Sequence, residues 1–311
     1  MLSLLPGLYL GWGIGANDTA NAFGPQVGAN IVTLRRAAVL TAAFGFLGAV
    51  VEGQKIFPAL GGFTHLSLEM SVVAALAAAI NVHVMTRFGM PVSTSHAIIG
   101  ALIGVGFAER AGFNIPIVMR VATSMVATPV GAATIAYLIY RGLAALAAGR
   151  LGSALFFQRS VQYAAVVIGC YAAYAMGANN VGNAMAPYVA VGVIGASSGA
   201  ALGGAAIALG VLTYSHRVMA VVGKQITALD PISALVATTA TAITIHLFTQ
   251  IGIPVSTSQA IVGAVVGVGL TKGIMGVNRR TLMVIPAGWV ISVAGSGAAA
   301  WLLLVVYRLI R

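Results

Sequence analysis

Charge is what this 311-residue chain has least of. Charged side chains make up 7% of it, and only 5 are acidic, against 16 Lys+Arg. A soluble globular chain carries roughly a quarter charged residues, so that class is excluded. Disorder needs low hydrophobicity and high charge, whereas 59% of these residues are hydrophobic and the mean hydropathy is +1.00. The net charge of +11 does not mark a nucleic-acid binder, because so few charges cannot coat a soluble surface. A Lys/Arg excess arises more simply from the cytoplasmic loops of a membrane protein. The single cysteine, Cys170, allows neither an intramolecular disulfide nor a cysteine-based metal cluster. There is no Gly-x-x-x-x-Gly-Lys-[Ser/Thr] phosphate loop, hence no built-in ATPase. The absence of His-Glu-x-x-His and Gly-x-Ser-x-Gly weighs against an intramembrane hydrolase. The first apolar run, Leu2 to Ile14, lacks a basic leader and runs directly into a polar motif, so it does not read as a signal peptide.

Long apolar runs dominate instead. A helix needs about 20 apolar residues to cross a bilayer. Ten segments stand out: 2–24, 38–57, 67–86, 91–108, 116–140, 161–178, 188–213, 231–249, 254–270 and 282–307. Gly, Pro and polar clusters interrupt several, which predicts broken or re-entrant helices. Between them, 141–160 carries Arg141, Arg150 and Arg159 among Ala and Leu, the composition of an interfacial linker.

The chain is written twice. Gly15-Ala16-Asn17-Asp18-Thr19-Ala20-Asn21-Ala22 returns as Gly177-Ala178-Asn179-Asn180-Val181-Gly182-Asn183-Ala184, displaced by 162 residues. Pro91-Val92-Ser93-Thr94-Ser95-His96-Ala97-Ile98 returns as Pro254-Val255-Ser256-Thr257-Ser258-Gln259-Ala260-Ile261, displaced by 163. His83 aligns with His246, Lys55 with Arg217, and Gly100-x-x-x-Gly104 with Gly263-x-x-x-Gly267. Two repeats follow, 1–150 and 151–311. Their charges test their orientation. In the first half, Arg35, Arg36, Arg87 and the linker arginines follow odd segments; in the second, Arg217 and Lys224 follow segment 7 and Lys272, Arg279 and Arg280 follow segment 9, the partners of even segments 2 and 4. With positive loops inside, both termini lie outside and the repeats are inverted, the usual build of a secondary transporter.

Each motif has its own chemistry. Asn17, Asp18 and Asn21 sit in an otherwise apolar segment. An aspartate at a membrane-helix centre costs about 2.5–3.5 kcal/mol on insertion scales, and carboxylate and carboxamide oxygens are hard ligands suited to Na⁺ or to proton uptake. Gly11, Gly13 and Gly15 before them permit an unwound stretch with exposed carbonyls. The plainer alternative is interhelical hydrogen bonding. The second motif reads as a helix start: Pro91 and Pro254 break what precedes, and Ser93, Thr94, Ser95 and Ser256, Thr257, Ser258 are capping-type residues. Hydroxyls and free N–H groups at a helix N-terminus hold an oxyanion without an arginine. Two copies brought together at the midplane would cage one tetrahedral anion; one copy alone could be an ordinary capped helix. His96, which becomes Gln259, reads as a packing residue before a proton relay. Lys55 and Arg217 read as interfacial anchors before anion attractors, and Trp289, Trp301 and Tyr307 as belt residues.

At these residues the chain resembles the inorganic phosphate transporter (PiT) family, which carries a duplicated Gly-Ala-Asn-Asp-x-Ala-Asn-Ala motif and a Pro-x-Ser-[Ser/Thr]-[Ser/Thr]-His segment in each half. The match covers both halves in order. It implies an all-α polytopic membrane protein of the plasma membrane, not an enzyme, importing phosphate by symport with Na⁺ or H⁺. There would be no tightly bound cofactor, the lipid bilayer as surroundings, and a homodimer as one option. By position, Asn17, Asp18, Asn21, Asn179, Asn180 and Asn183 would cradle cation and anion, and Ser93, Thr94, Ser95, Ser256, Thr257 and Ser258 would hold the oxyanion. The chain departs from the pattern at Asn180, where the family usually has Asp, at Gly182 and at Gln259. One aspartate fewer puts the number of coupled ions in question. It also makes a sulfate permease the runner-up, with a passive anion channel as a third reading. Hydrogen phosphate carries a proton that needs an acceptor, sulfate does not, and Asp18 is the acceptor that remains.

Overall fold

The computed structural model describes residues 2–88, 92–147, 154–216, 218–219, 229–272 and 279–310. Pro91, Arg150, Arg217, Lys224 and the repeat boundary at 150/151 lie outside them. The described residues are helical almost throughout: α1 (Leu5–Gly28), α2 (Leu34–Glu52), a 3₁₀ turn (Gly53–Ile56), α3 (Phe57–Gly61), α4 (Leu68–Arg87), α5 (Thr94–Ala108) and α6 (Ile115–Ala147) in the first repeat. The second holds α7 (Ala154–Ala190), α8 (Ala196–Tyr214), α9 (Pro231–Gln250), α10 (Thr257–Thr271) and α11 (Arg279–Ile310). Among the described residues seven helical stretches are long and apolar enough to cross a membrane, and the protein is a multi-pass membrane protein.

Equivalent helices run in opposite directions. Along α1 and α7, Gly7 lies against Ala184 and Tyr188, Asp18 against Asn180, Phe23 against Gly169 and Gln26 against Ala165. One residue number climbs as the other falls, so the two helices are antiparallel. The repeats are therefore inverted, as the loop charges require. Contacts recur under exchange of the halves. A Cβ on Gly177 would collide with the Gly45 carbonyl and one on Gly15 with that of Ile207; Gly48 meets Tyr174 as Gly210 meets Trp12. Each pair maps onto the other by the same displacement of 162, and the backbones touch because no side chain intervenes.

α4 with α5, and α9 with α10, form one re-entrant hairpin in each repeat. Thr64, just before α4, donates its hydroxyl to the Gly112 carbonyl beyond α5 at 2.9 Å, and Lys272 after α10 pairs with Asp230, the N-cap of α9. The open ends of each hairpin thus meet, while the tips lie deep. The C-terminal turn of α4 stops beside the middle of α1, where Asn17 reaches Thr86. At 15 residues each, α5 and α10 are about 22 Å long, short of the roughly 30 Å hydrocarbon core. The hairpins are exchanged between repeats. Gly100 and Gly104 of α5 lie on Val293 and Gly297 of α11, and Gly263 and Gly267 of α10 lie on Pro129 and Ala133 of α6. With α4 and α9 turning back in hairpins although long enough to span, three crossing elements remain in each repeat (α1, α2–α3 and α6; α7, α8 and α11), the odd number that inversion needs.

Three expectations need correction. α1 runs unbroken through Gly11, Gly13 and Gly15, so no unwound stretch precedes Asn17. Those glycines serve close packing, and the Thr19 hydroxyl returns to the Gly15 carbonyl. The segments expected at 161–178 and 188–213 are instead α7, reaching Ala190, and α8 from Ala196. The second polar motif sits inside a continuous helix because its Asn side chains find partners on neighbouring elements without breaking the backbone ladder. Finally, Trp289 is no belt residue: its ring stacks on His96 at 6.3 Å between centroids and 8° between planes.

Candidate functional site

All twelve predicted residues converge on the meeting point of α1, α7 and the two hairpin tips, and each is 3% exposed or less. Asn17 and Asn179 brace the tips. Asn17 donates to the Thr86 hydroxyl (2.9 Å) and accepts from the Val92 N–H (3.2 Å). Asn179 does the same with Thr249 (2.9 Å) and Val255 (3.0 Å). The braces fix the extended residues before α5 and α10, whose N–H groups would otherwise be buried without partners. Thr86 and Thr249 went unnoticed in the sequence, although they too are a repeat pair.

The helix starts form as expected. Ser93 caps α5 by accepting from the His96 N–H, and Ser256 caps α10 by accepting from the Gln259 N–H, both at 3.2 Å. Side chains then cross between repeats. Asn21 donates to the Thr257 hydroxyl and Asn183 to the Ser95 hydroxyl, each at 3.0 Å. Ser95 donates its hydroxyl to the Val255 carbonyl (2.9 Å), and Ser256 and Ser258 bond to each other at 3.0 Å.

Asp18 is the centre. Its Oδ2 accepts from Thr94 (2.8 Å) and from the amide of Asn180, its own repeat equivalent (2.7 Å), and its Oδ1 accepts from Asn21 at 3.4 Å. These donors are all neutral. The structure brings no lysine or arginine to the carboxylate among its described partners, and a buried charge so placed calls for a cation or a proton. Two further oxygens, Oδ1 of Asn180 and Oδ1 of Asn183, are buried without a partner, as is Oε1 of Gln259. Carboxamide oxygens of that kind suit a hard monovalent cation.

Around the site, His246 and His83 occupy equivalent positions in unlike company. His246 contacts Glu52 at 3.2 Å and the Tyr171 hydroxyl at 2.7 Å; His83 lies among the rings of Tyr9, Trp12 and Tyr214.

A family model described as the phosphate transporter family matches residues 14–157 and again 153–300. The chain belongs to the phosphate transporter family. A protein of Pyrococcus horikoshii named "Putative phosphate permease" is 29% identical, with 100% of this chain and 98% of that protein covered. The chloroplastic inorganic phosphate transporter 2-1 of Arabidopsis thaliana is 25% identical over 94% of this chain and 69% of its own length. A solved structure titled "The sodium-dependent phosphate transporter" superposes with a TM-score of 0.90 at 25% identity, covering 100% of this chain and 99% of that one. The two matches of the family model fall one on each repeat, so the duplication seen in the motifs is a duplication of the family's own unit.

Proposed function

We propose that this member of the phosphate transporter family imports inorganic phosphate by symport with Na⁺, binding both at the midplane between the repeats. The carrying observation is the single carboxylate of Asp18, held by Thr94 and Asn180 from opposite repeats. A cation beside Asp18, with Oδ1 of Asn180 and of Asn183 as further ligands, neutralises that charge. The loaded cation then favours an anion at the N-termini of α5 and α10, where Thr94, Ser95, Thr257 and Ser258 offer hydroxyls and the helix dipoles add partial positive charge. Asn17 and Asn179 act as positioning residues through the hairpin tips. Only the nearly neutral, fully loaded site crosses the bilayer, which is what couples the two solutes. Phosphate is preferred to sulfate because Asp18 accepts the phosphate proton, whereas sulfate, which can only accept, would leave a carboxylate oxygen facing its negative charge.

The name of the superposable structure supports Na⁺ as the coupling ion. The test is uptake of labelled phosphate into proteoliposomes, with an inward Na⁺ gradient or an inward proton gradient, and with sulfate as competitor. Na⁺-dependent accumulation that sulfate does not inhibit is expected. Accumulation driven by protons alone would overturn Na⁺ coupling, sulfate uptake would make the chain a sulfate permease, and equilibration that ignores both gradients would make it a channel.

A further inference from the structure

A cavity of about 230 Å³ opens beside the tip of the second hairpin, between the 3₁₀ turn, α3, the start of α6 and the turn after α9. Its walls include Lys55, Pro58, Ile117, Arg120, Ile251 and Ile253. Drug-sized ligands occupy roughly 300–1,000 Å³, so this space suits a small ion. Two of its side chains are cations, in a chain with only 16. Lys55 has a rival anion within the protein, Glu52, whose Oε1 lies 3.6 Å away while its Oε2 is held by Gln250 at 2.7 Å and His246 at 3.2 Å. Lys55 itself donates to Gln250 at 2.6 Å. The Arg120 guanidinium has neither carboxylate nor hydrogen-bond partner among the described residues.

Hydrogen bonds tie the floor of the cavity to the central site. Ile253 accepts from Asn179 at 3.3 Å, and Ser124, one turn beyond Arg120, donates to the Pro254 carbonyl at 3.4 Å. Two residues later the chain reaches Ser256. In the sequence, Lys55 has a cationic counterpart in Arg217, but the position equivalent to Arg120 is Met283. The cavity lies on the side on which α1 begins, the side that the arginine bias of the loops assigns to the outside.

We propose that this cavity is a vestibule site that holds the oxyanion, inorganic phosphate or a like-charged analogue, between Lys55 and Arg120 before it passes to Ser256–Ser258. The inference rests on phosphate being the substrate. A positive rim raises the rate of anion encounter and its mutation changes on-rate and salt dependence. Arg120→Gln and Lys55→Gln should therefore raise the KM for phosphate uptake about threefold to tenfold while leaving the maximal rate, and Arg120→Lys should restore it. A fall in maximal rate with KM unchanged would overturn the proposal. A second measurement does not depend on transport. Phosphate should slow modification of Lys55 by an amine-directed reagent relative to chloride of equal ionic strength, in wild type and in Asp18→Asn, and Arg120→Gln should abolish that protection. Equal labelling in phosphate and chloride, or protection that survives Arg120→Gln, would refute the vestibule. Absence of uptake by the wild type would count against the transport reading alone, with the labelling still deciding the vestibule.

Discussion

Exchanging Asp18 and Asn180 tests the site more sharply than removing either. In Asp18→Asn, the new amide oxygen can still accept from Thr94 and Asn180, and its NH₂ group would face the Asn21 amide, which now gives only the long 3.4 Å contact. The fold therefore loses about one weak hydrogen bond, on the order of 1 kcal/mol. The bound cation loses far more. A unit charge about 4 Å away at an effective dielectric of 20 contributes about 4 kcal/mol, and 1.4 kcal/mol is tenfold in affinity, so sodium affinity should fall several hundredfold to a thousandfold. Uptake at fixed sodium should vanish while the protein still purifies as a monodisperse species. The double variant Asp18→Asn/Asn180→Asp moves the carboxylate by about the 2.7 Å that separates the partners and keeps one carboxylate facing one amide. It should recover uptake to within about tenfold of wild type, since the cation ligands remain within the same Coulomb range. The assay is sodium-titrated phosphate uptake in proteoliposomes beside a thermal melt. A double variant as inactive as the single one, yet equally folded, would refute the idea that the charge itself, more than its place on α1, drives coupling.

Other outcomes follow from particular contacts. Asn180→Asp alone puts two carboxylates in contact, a like-charge pair that cannot both stay ionised without cations, so the sodium dependence of uptake should steepen, read as a larger Hill coefficient. Gly177→Ala should lower the melting temperature by the equivalent of about 1–3 kcal/mol, because its Cβ meets the Gly45 backbone, whereas Gly131→Ala, with nothing within 4 Å, should be neutral or slightly stabilising. At the open end of the second hairpin, burial pushes the Asp230 carboxyl up, but Lys272 and Ser233 outweigh it and hold it down at about 2. Its contribution is thus present above pH ~4 and lost as pH falls toward about 2. Because the pair is over a third exposed, that contribution is below about 1 kcal/mol. The small melting-temperature gap between wild type and Asp230→Asn at neutral pH should close near pH 2.

Much of this arrangement is legible in the residues, and the reason is the duplication. A near-constant displacement carries the fold class, the inversion and the identity of the paired motifs, and each capping serine is where Ser-Thr-Ser after Pro-Val would place it. What could not be read were consequences of packing. Gly11, Gly13 and Gly15 are equally compatible with an unwound helix and with a tight one, and only the position of Ile207 and Val82 against them decides. Trp289 looks like an interfacial ring until His96 is found beside it. The division of labour within Asn-x-x-x-Asn was hidden too: Asn17 and Asn179 brace hairpin tips while Asn21 and Asn183 reach across to the other repeat. One sequence spacing serves both roles, because residues four apart lie on one helix face.

The places where the halves differ carry more information than those where they agree. An inverted repeat supplies two conformations of nearly equal energy, since each is the other with the halves exchanged; strict symmetry would leave their populations equal. Here the deviations cluster at matched depths. Asp18 faces Asn180, His96 becomes Gln259, and Glu52, with His246, Tyr171 and Lys55 about it, is replaced in the other half by Tyr214 among Tyr9, Trp12 and His83. One face is thus tied by the Lys55–Glu52 ion pair and hydrogen bonds, and the other by packed rings. Ion pairs weaken with salt whereas ring contacts do not. Raising ionic strength with an inert salt should therefore shift the balance toward the conformation in which the Glu52 cluster is open. Accessibility of a cysteine placed at the neighbouring, exposed Ile251, in a Cys170→Ser background, reads that shift directly. A labelling rate independent of salt would show that the Glu52 cluster does not contribute to the bias between the two states.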